Sequence, residues 1–79
     1  MLIQDLFVVP QRGVVLIFNE RDPGLIEVKV GTQLQQGSNV WEVVGVGVGL
    51  RVGSTGTTGL LVKPPSPIPE RGVEVQVVP

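Results

Sequence analysis

The chain has 79 residues, 42% of them hydrophobic and 16% charged, with a net charge of −1 and neither cysteine nor histidine. A disulfide framework and the usual nitrogen–sulfur zinc sites are therefore excluded. The near-neutral, interspersed charge also lacks the strongly basic face on which nucleic-acid binders depend. A chain this short buries only about 60% of its extended surface, so it needs either an unusually aliphatic core or self-association. A mean hydropathy of +0.35 suits both.

Valine is abundant, and 11 glycines and 7 prolines break the chain at short intervals. That pattern predicts an all-β fold, and no window keeps the apolar spacing of a helix. The first strand is expected over Leu2 to Val9, closed by Pro10, which cannot donate to a ladder. A turn at Gln11-Arg12-Gly13 leads to Val14-Val15-Leu16-Ile17-Phe18, apolar without alternation and so covered on both faces or covered on one by a partner. Asn19 to Gly24 is a polar loop ending in Pro-Gly. Leu25 to Val30 alternates, and the period of two predicts a strand with Ile26, Val28 and Val30 facing inward and Glu27 and Lys29 outward. Gly31 to Asn39 is expected to be a connecting loop with room for a short edge strand.

Val40 to Val52 changes phase: Trp41 and Val43 share one parity, while Val44, Val46, Val48 and Leu50 share the other. A β-bulge produces such a change. Glycines at 45, 47 and 49 line one face, which suits a tight barrel corner or a close approach by another backbone. Residues 53–59 are rich in Gly, Ser and Thr and predict a flexible loop. Leu60-Leu61-Val62 is a short strand, Pro64 to Pro69 a rigid extended connection, and a last strand turns Val73, Val75 and Val77 inward.

Catalytic schemes find little support. A serine or threonine nucleophile needs a base; histidine is absent and the lysines are only Lys29 and Lys63. The acids fall at turns and outward strand positions rather than as a pair in a cleft. Gly45-x-Gly47-x-Gly49 lacks the third glycine and the following helix of a dinucleotide fingerprint, and no Gly-Lys pair exists for a phosphate loop. Aromatics number only Phe7, Phe18 and Trp41, with Trp41 expected in the core rather than serving as a stacking platform. No catalytic residue, cofactor or metal is therefore expected. If Arg12, Lys63 and Arg71 converge at one end, they form a small positive spot.

One series of short motifs resembles a known family. Gly59-Leu-Leu-Val-Lys, then a loop, then Ile68-Pro-Glu-Arg-Gly72 resembles the end of the second domain of translation elongation factors of the elongation factor Tu type. Asp5-Leu-Phe-Val-Val, Arg12-Gly13-Val-Val, Gly24-Leu-Ile with Val30-Gly31-Thr-Gln-Leu, and Val43-Val44-Gly45-Val46 resemble earlier pieces of that domain in the same order. The likeness spans nearly the whole chain. It implies a closed β-barrel and contact with RNA or a translation-related protein. Thr57-Thr58-Gly59 stands where the family has Asn-Val-Gly, in a region that in those factors helps form the pocket for the aminoacyl end of tRNA. No GTPase domain lies within these residues, so GTP hydrolysis is not expected of them.

The expectations are these. Residues 1–79 form a single all-β domain, a small closed six-stranded β-barrel of the domain II type. The protein is a non-catalytic binding or adaptor module, cytoplasmic, without membrane contact. An RNA or protein partner is expected to contact Arg12, Thr57, Thr58, Lys63 and Arg71. The alternative is a structural, self-associating subunit, a homodimer, using the apolar strand 14–18 and the glycine face.

Overall fold

The computed structural model describes residues 1–47, 56–63 and 67–78. They form an all-β fold with six strands: β1 (Asp5–Val9), β2 (Gly13–Asn19), β3 (Gln33–Gln36), β4 (Asn39–Val46), β5 (Thr57–Val62) and β6 (Gln76–Val77). The strands make one antiparallel sheet in the order β1-β2-β5-β4-β3-β6. The closed barrel expected from the sequence is not what these ladders form, because β1 and β6 remain the two ends of the order. One isolated bridge, Leu2 to Glu74, joins the segments that flank them.

The first strand is shorter than its apolar run because the chain changes partner at its start. Ile3 donates its backbone N–H to Val73 at 3.0 Å, whereas Gln4 donates to Ile17 on β2 at 2.8 Å. From Asp5 on, the strand pairs with β2 in continuous register, Asp5 opposite Ile17 through Val9 opposite Gly13. The hairpin turn has Arg12 donating to the Val9 carbonyl at 3.0 Å. Pro10 suits the first inner position of such a turn, and Gln11 takes a positive φ of 65°. Gly13 is required by contact as well as by conformation. Its φ is +141°, and a Cβ there would lie 1.9 Å from the Val62 carbonyl oxygen.

β2 is buried on both faces apart from a part-exposed Ile17, the first of the two alternatives that its unbroken apolar run allows. Val14, Leu16 and Phe18 join the main core with Ile3, Val28, Leu34, Trp41, Val43, Leu60, Val62 and Val75. Val15 is equally inaccessible but faces the other way, opposite Phe7 on β1 and Leu61 on β5. Trp41 lies in the core as expected, and its indole N–H donates to the Pro67 carbonyl at 3.1 Å. Pro67 is thereby tied to the core.

The phase change in the fourth strand is a bulge. Val43 pairs with Val62 but Gly45 pairs with Leu61, a register shift that leaves Val44 extra. Val48, Gly49, Leu50 and residues 53–55, to which the sequence assigns the rest of the glycine face and most of a loop, lie outside the described residues, as do Pro64, Pro65 and Ser66.

Three expectations are corrected. Leu25–Val30 is not a strand: Pro23–Glu27 is a 3-10 helix, with Asp22 as its cap and Pro23 in its first turn. The Asp22 carboxylate accepts from the Gly24 N–H at 3.0 Å, and Val28 donates to Leu25 at 3.1 Å. The side-chain cap and the fixed proline φ favour the turn locally. Only Val28 of the three apolar residues is buried; Ile26 is 88% exposed and Val30 63%. Residues 33–36 are the short strand that the 31–39 connection had room for, but β3 lies between β4 and β6 rather than at an edge, and it buries Leu34. Residues 57–59, also expected as loop, open β5, paired with β2 from Thr57 opposite Asn19.

Candidate functional site

Loop Asn19–Gly24, the 3-10 helix and the start of β5 meet at one end of the sheet. The loop is held by backbone bonds: Glu20 donates to Gly56 at 2.9 Å and Asp22 to Asn19 at 2.9 Å. Its side chains hold it too, since the Asn19 amide oxygen accepts from the Arg21 N–H at 2.9 Å. Between these elements opens a cleft of about 360 Å³, lined by Glu20, Asp22, Leu25, Ile26, Val46, Thr57, Thr58 and Leu60.

The composition of this cleft decides what it can take. Leu60 and the half-buried Leu25 make an apolar base, and Ile26 and Val46 (49% exposed) add apolar surface open to solvent. Two carboxylates border it, and among the described residues that line it there is no lysine or arginine. Arg21 lines a neighbouring hollow with Asn19, Glu20 and Gly56. A phosphate backbone would meet like charge at Glu20 and Asp22, whereas a cation would be attracted.

The five residues that the sequence selects do not form one site. Thr57 and Thr58 open β5 and line the cleft. Lys63 follows the other end of β5, and there it is ion-paired to Glu42 at 3.1 Å. Arg12 is exposed in the β1–β2 turn next to Gly13, which abuts the Val62–Lys63 backbone. Six strand residues at about 3.3 Å each place Arg12 and Lys63 on the order of 20 Å from the threonines. Arg71 lies elsewhere again, lining a hollow with Asp5, Leu6, Pro69 and Glu70. Arg12 and Lys63 therefore share an end of the sheet, but Arg71 sits beside acids at the start of β1, and the positive spot does not assemble.

Sequence reasoning missed Glu20, Asp22, Ile26 and Val46. Asp22-Pro23-Gly24 carried the missing signal, because Asp before Pro is a cap-and-first-turn signature. A turn there rotates Ile26 out of the core and into the cleft rim. Among the described residues, no group of three or more acidic side chains is placed to hold a metal ion, and no helix is long and apolar enough to cross a membrane.

Compared with known proteins, the chain matches no family model. No curated protein and no solved structure matches it either.

Proposed function

We propose that this chain is a non-catalytic binding module whose partner is a protein segment carrying a basic group next to an apolar side chain. The observation behind this reading is the cleft between the 3-10 helix and β5, where exposed Ile26 and Val46 adjoin Glu20 and Asp22. Apolar surface held open to water favours burial by a partner, and the two carboxylates select a cation over a phosphate. Of the RNA and protein contacts that the sequence resemblance implies, this arrangement supports the protein contact. The absence of histidine and cysteine from the sequence supports a module that binds rather than transforms its ligand.

The domain II-like barrel belongs to the same proposal. The Leu2–Glu74 bridge, together with the Ile3 donation to Val73 and the Gly72 donation to Ile3, supports a sheet whose two ends meet through their flanking segments. The order of the short motifs along the chain supports the same relation, as a likeness of sequence.

Fluorescence anisotropy tests the reading. A labelled peptide of alternating Arg and Leu should bind with salt-dependent affinity, and Ile26→Asp and Glu20→Lys should each weaken it about tenfold or more. Single-stranded RNA should not bind above background at low salt. RNA binding that Thr57→Ala or Thr58→Ala abolishes would overturn the reading, as would peptide binding indifferent to both cleft variants.

A further inference from the structure

The two acids that border the cleft stand on backbone that is pinned. Glu20 donates its N–H to the Gly56 carbonyl and Asp22 to that of Asn19, both at 2.9 Å. Arg21, between them, donates to the Asn19 amide oxygen at 2.9 Å. Three successive N–H groups are thus spent on holding the loop against the start of β5. The Asp22 side chain is held as well: its Oδ1 accepts from Gly24 at 3.0 Å, and its Oδ2 has no partner among the described residues. The ion pairs among the described residues join Lys63 to Glu42 and the N-terminal ammonium to Glu74, so Glu20 and Asp22 are in neither.

The charge around the cleft is net acidic. Residues 19–27 carry three acids, Glu20, Asp22 and Glu27, against one base, Arg21, a net of −2. Glu27 is exposed on the 3-10 helix and does not line the cleft. Arg21 shares the neighbouring hollow with Glu20, so it competes for that carboxylate from outside the cleft.

We infer that the cleft selects an arginine side chain of its partner over a lysine, an inference that rests on the reading of this cleft as a protein-binding site. The two carboxylates come from positions one residue apart in a fixed loop, so they offer oxygens at separate points of the rim. A guanidinium is flat and carries N–H donors on every nitrogen of its fork, and a single group bonds both acids. An ammonium donates from one point and bonds one acid at the expense of the other. On the β5 side, the half-buried Thr57 and Thr58 add hydroxyl oxygens that accept from a nitrogen the acids leave over.

The base of the cleft favours the same choice. Leu60 is buried and Leu25 half-buried. A weakly hydrated guanidinium lies against such a surface at less cost than a strongly hydrated ammonium. Exposed Ile26 adds apolar surface for the methylene stem.

Fluorescence anisotropy tests this with labelled peptides that alternate Leu with Arg, with Lys or with citrulline, which keeps the shape of arginine without its charge. The Arg peptide should bind about tenfold tighter than the Lys peptide, and the citrulline peptide more weakly than both. Asp22→Asn keeps a cap acceptor; it should weaken the Arg peptide about tenfold and bring the Arg-to-Lys ratio to within about threefold. Arg21→Gln should tighten the Arg peptide by about twofold or more. The ratio is measured in parallel on Arg51→Ala, so that a base outside the described residues does not account for it. Far-UV circular dichroism establishes that each variant is folded. Arg and Lys peptides of equal affinity overturn the inference and leave the protein-binding reading standing. If no peptide binds, both fall. A citrulline peptide as tight as the Arg peptide overturns the inference, as does a preference for Arg that Asp22→Asn leaves unchanged.

Discussion

Gly13 is the position at which a single methyl group does most damage. It combines a positive φ with a Cβ position 1.9 Å from a backbone oxygen that cannot rotate away. Gly13→Ala should cost about 3 kcal/mol or prevent folding, whereas Gly37→Ala, with φ +60° and nothing within 4 Å, should cost about 1 kcal/mol. Urea unfolding midpoints of the two variants make the comparison. The neighbouring Gln11 also sits at positive φ, 65°, where a β-branched side chain is a genuine outlier; Gln11→Val should lower stability by about 1 kcal/mol or more in the same assay. At Trp41, the indole N–H is spent on Pro67. Trp41→Phe should lose about 1–2 kcal/mol by removing a hydrogen bond and some packing, read from thermal unfolding followed by circular dichroism. The sequence announced the turn at 11–13 and the burial of Trp41. It was silent on why Gly13 must be glycine, because the clash is with a carbonyl 49 positions away.

At the scale of elements, the 3-10 helix and the bulge show how local pattern and tertiary context divide the decision. The alternation of Ile26, Val28 and Val30 is the same text in a strand and in an irregular segment. Burial distinguishes them, and only Val28 is covered. Ile26→Asp should therefore leave stability within about 0.5 kcal/mol of wild type, while Val28→Asp should lose about 2 kcal/mol or more; in a strand with both residues inward, the two losses would be alike. Chemical denaturation of the two variants separates these cases. The bulge at Val44 was legible because a phase change within one run of β-formers has few other causes. β3 was legible only in part: Gln-Leu-Gln-Gln has weak strand propensity, so the sequence left room for a short edge strand there, and it is an inner one because β4 and β6 flank it and Leu34 reaches the core.

At the scale of the whole molecule, the two ends of the strand order are held near one another by the residues just outside them. Ile3 is fully buried and bonds both to Val73 and, through its carbonyl, to Gly72. Ile3→Ala should cost about 2–4 kcal/mol, as a buried large-to-small change does. It should also speed amide exchange at Gly72 and Val75 more than at β2, a pattern that a purely local defect would not give; native-state hydrogen exchange measures it.

Composition, hydrophobic period and turn chemistry alone determined the all-β class, the core placement of Trp41 and the bulge in β4. Each follows from interactions between residues close in sequence, or from the plain cost of exposing apolar side chains. Only the tertiary structure decided that 23–27 is a 3-10 turn and that 33–36 is an inner strand. It also decided that Thr57 and Thr58 stand about 20 Å from Arg12 and Lys63, beside two acids instead of three bases. Those outcomes depend on which strand lies next to which, and strand order is set by long-range pairing that no local period encodes.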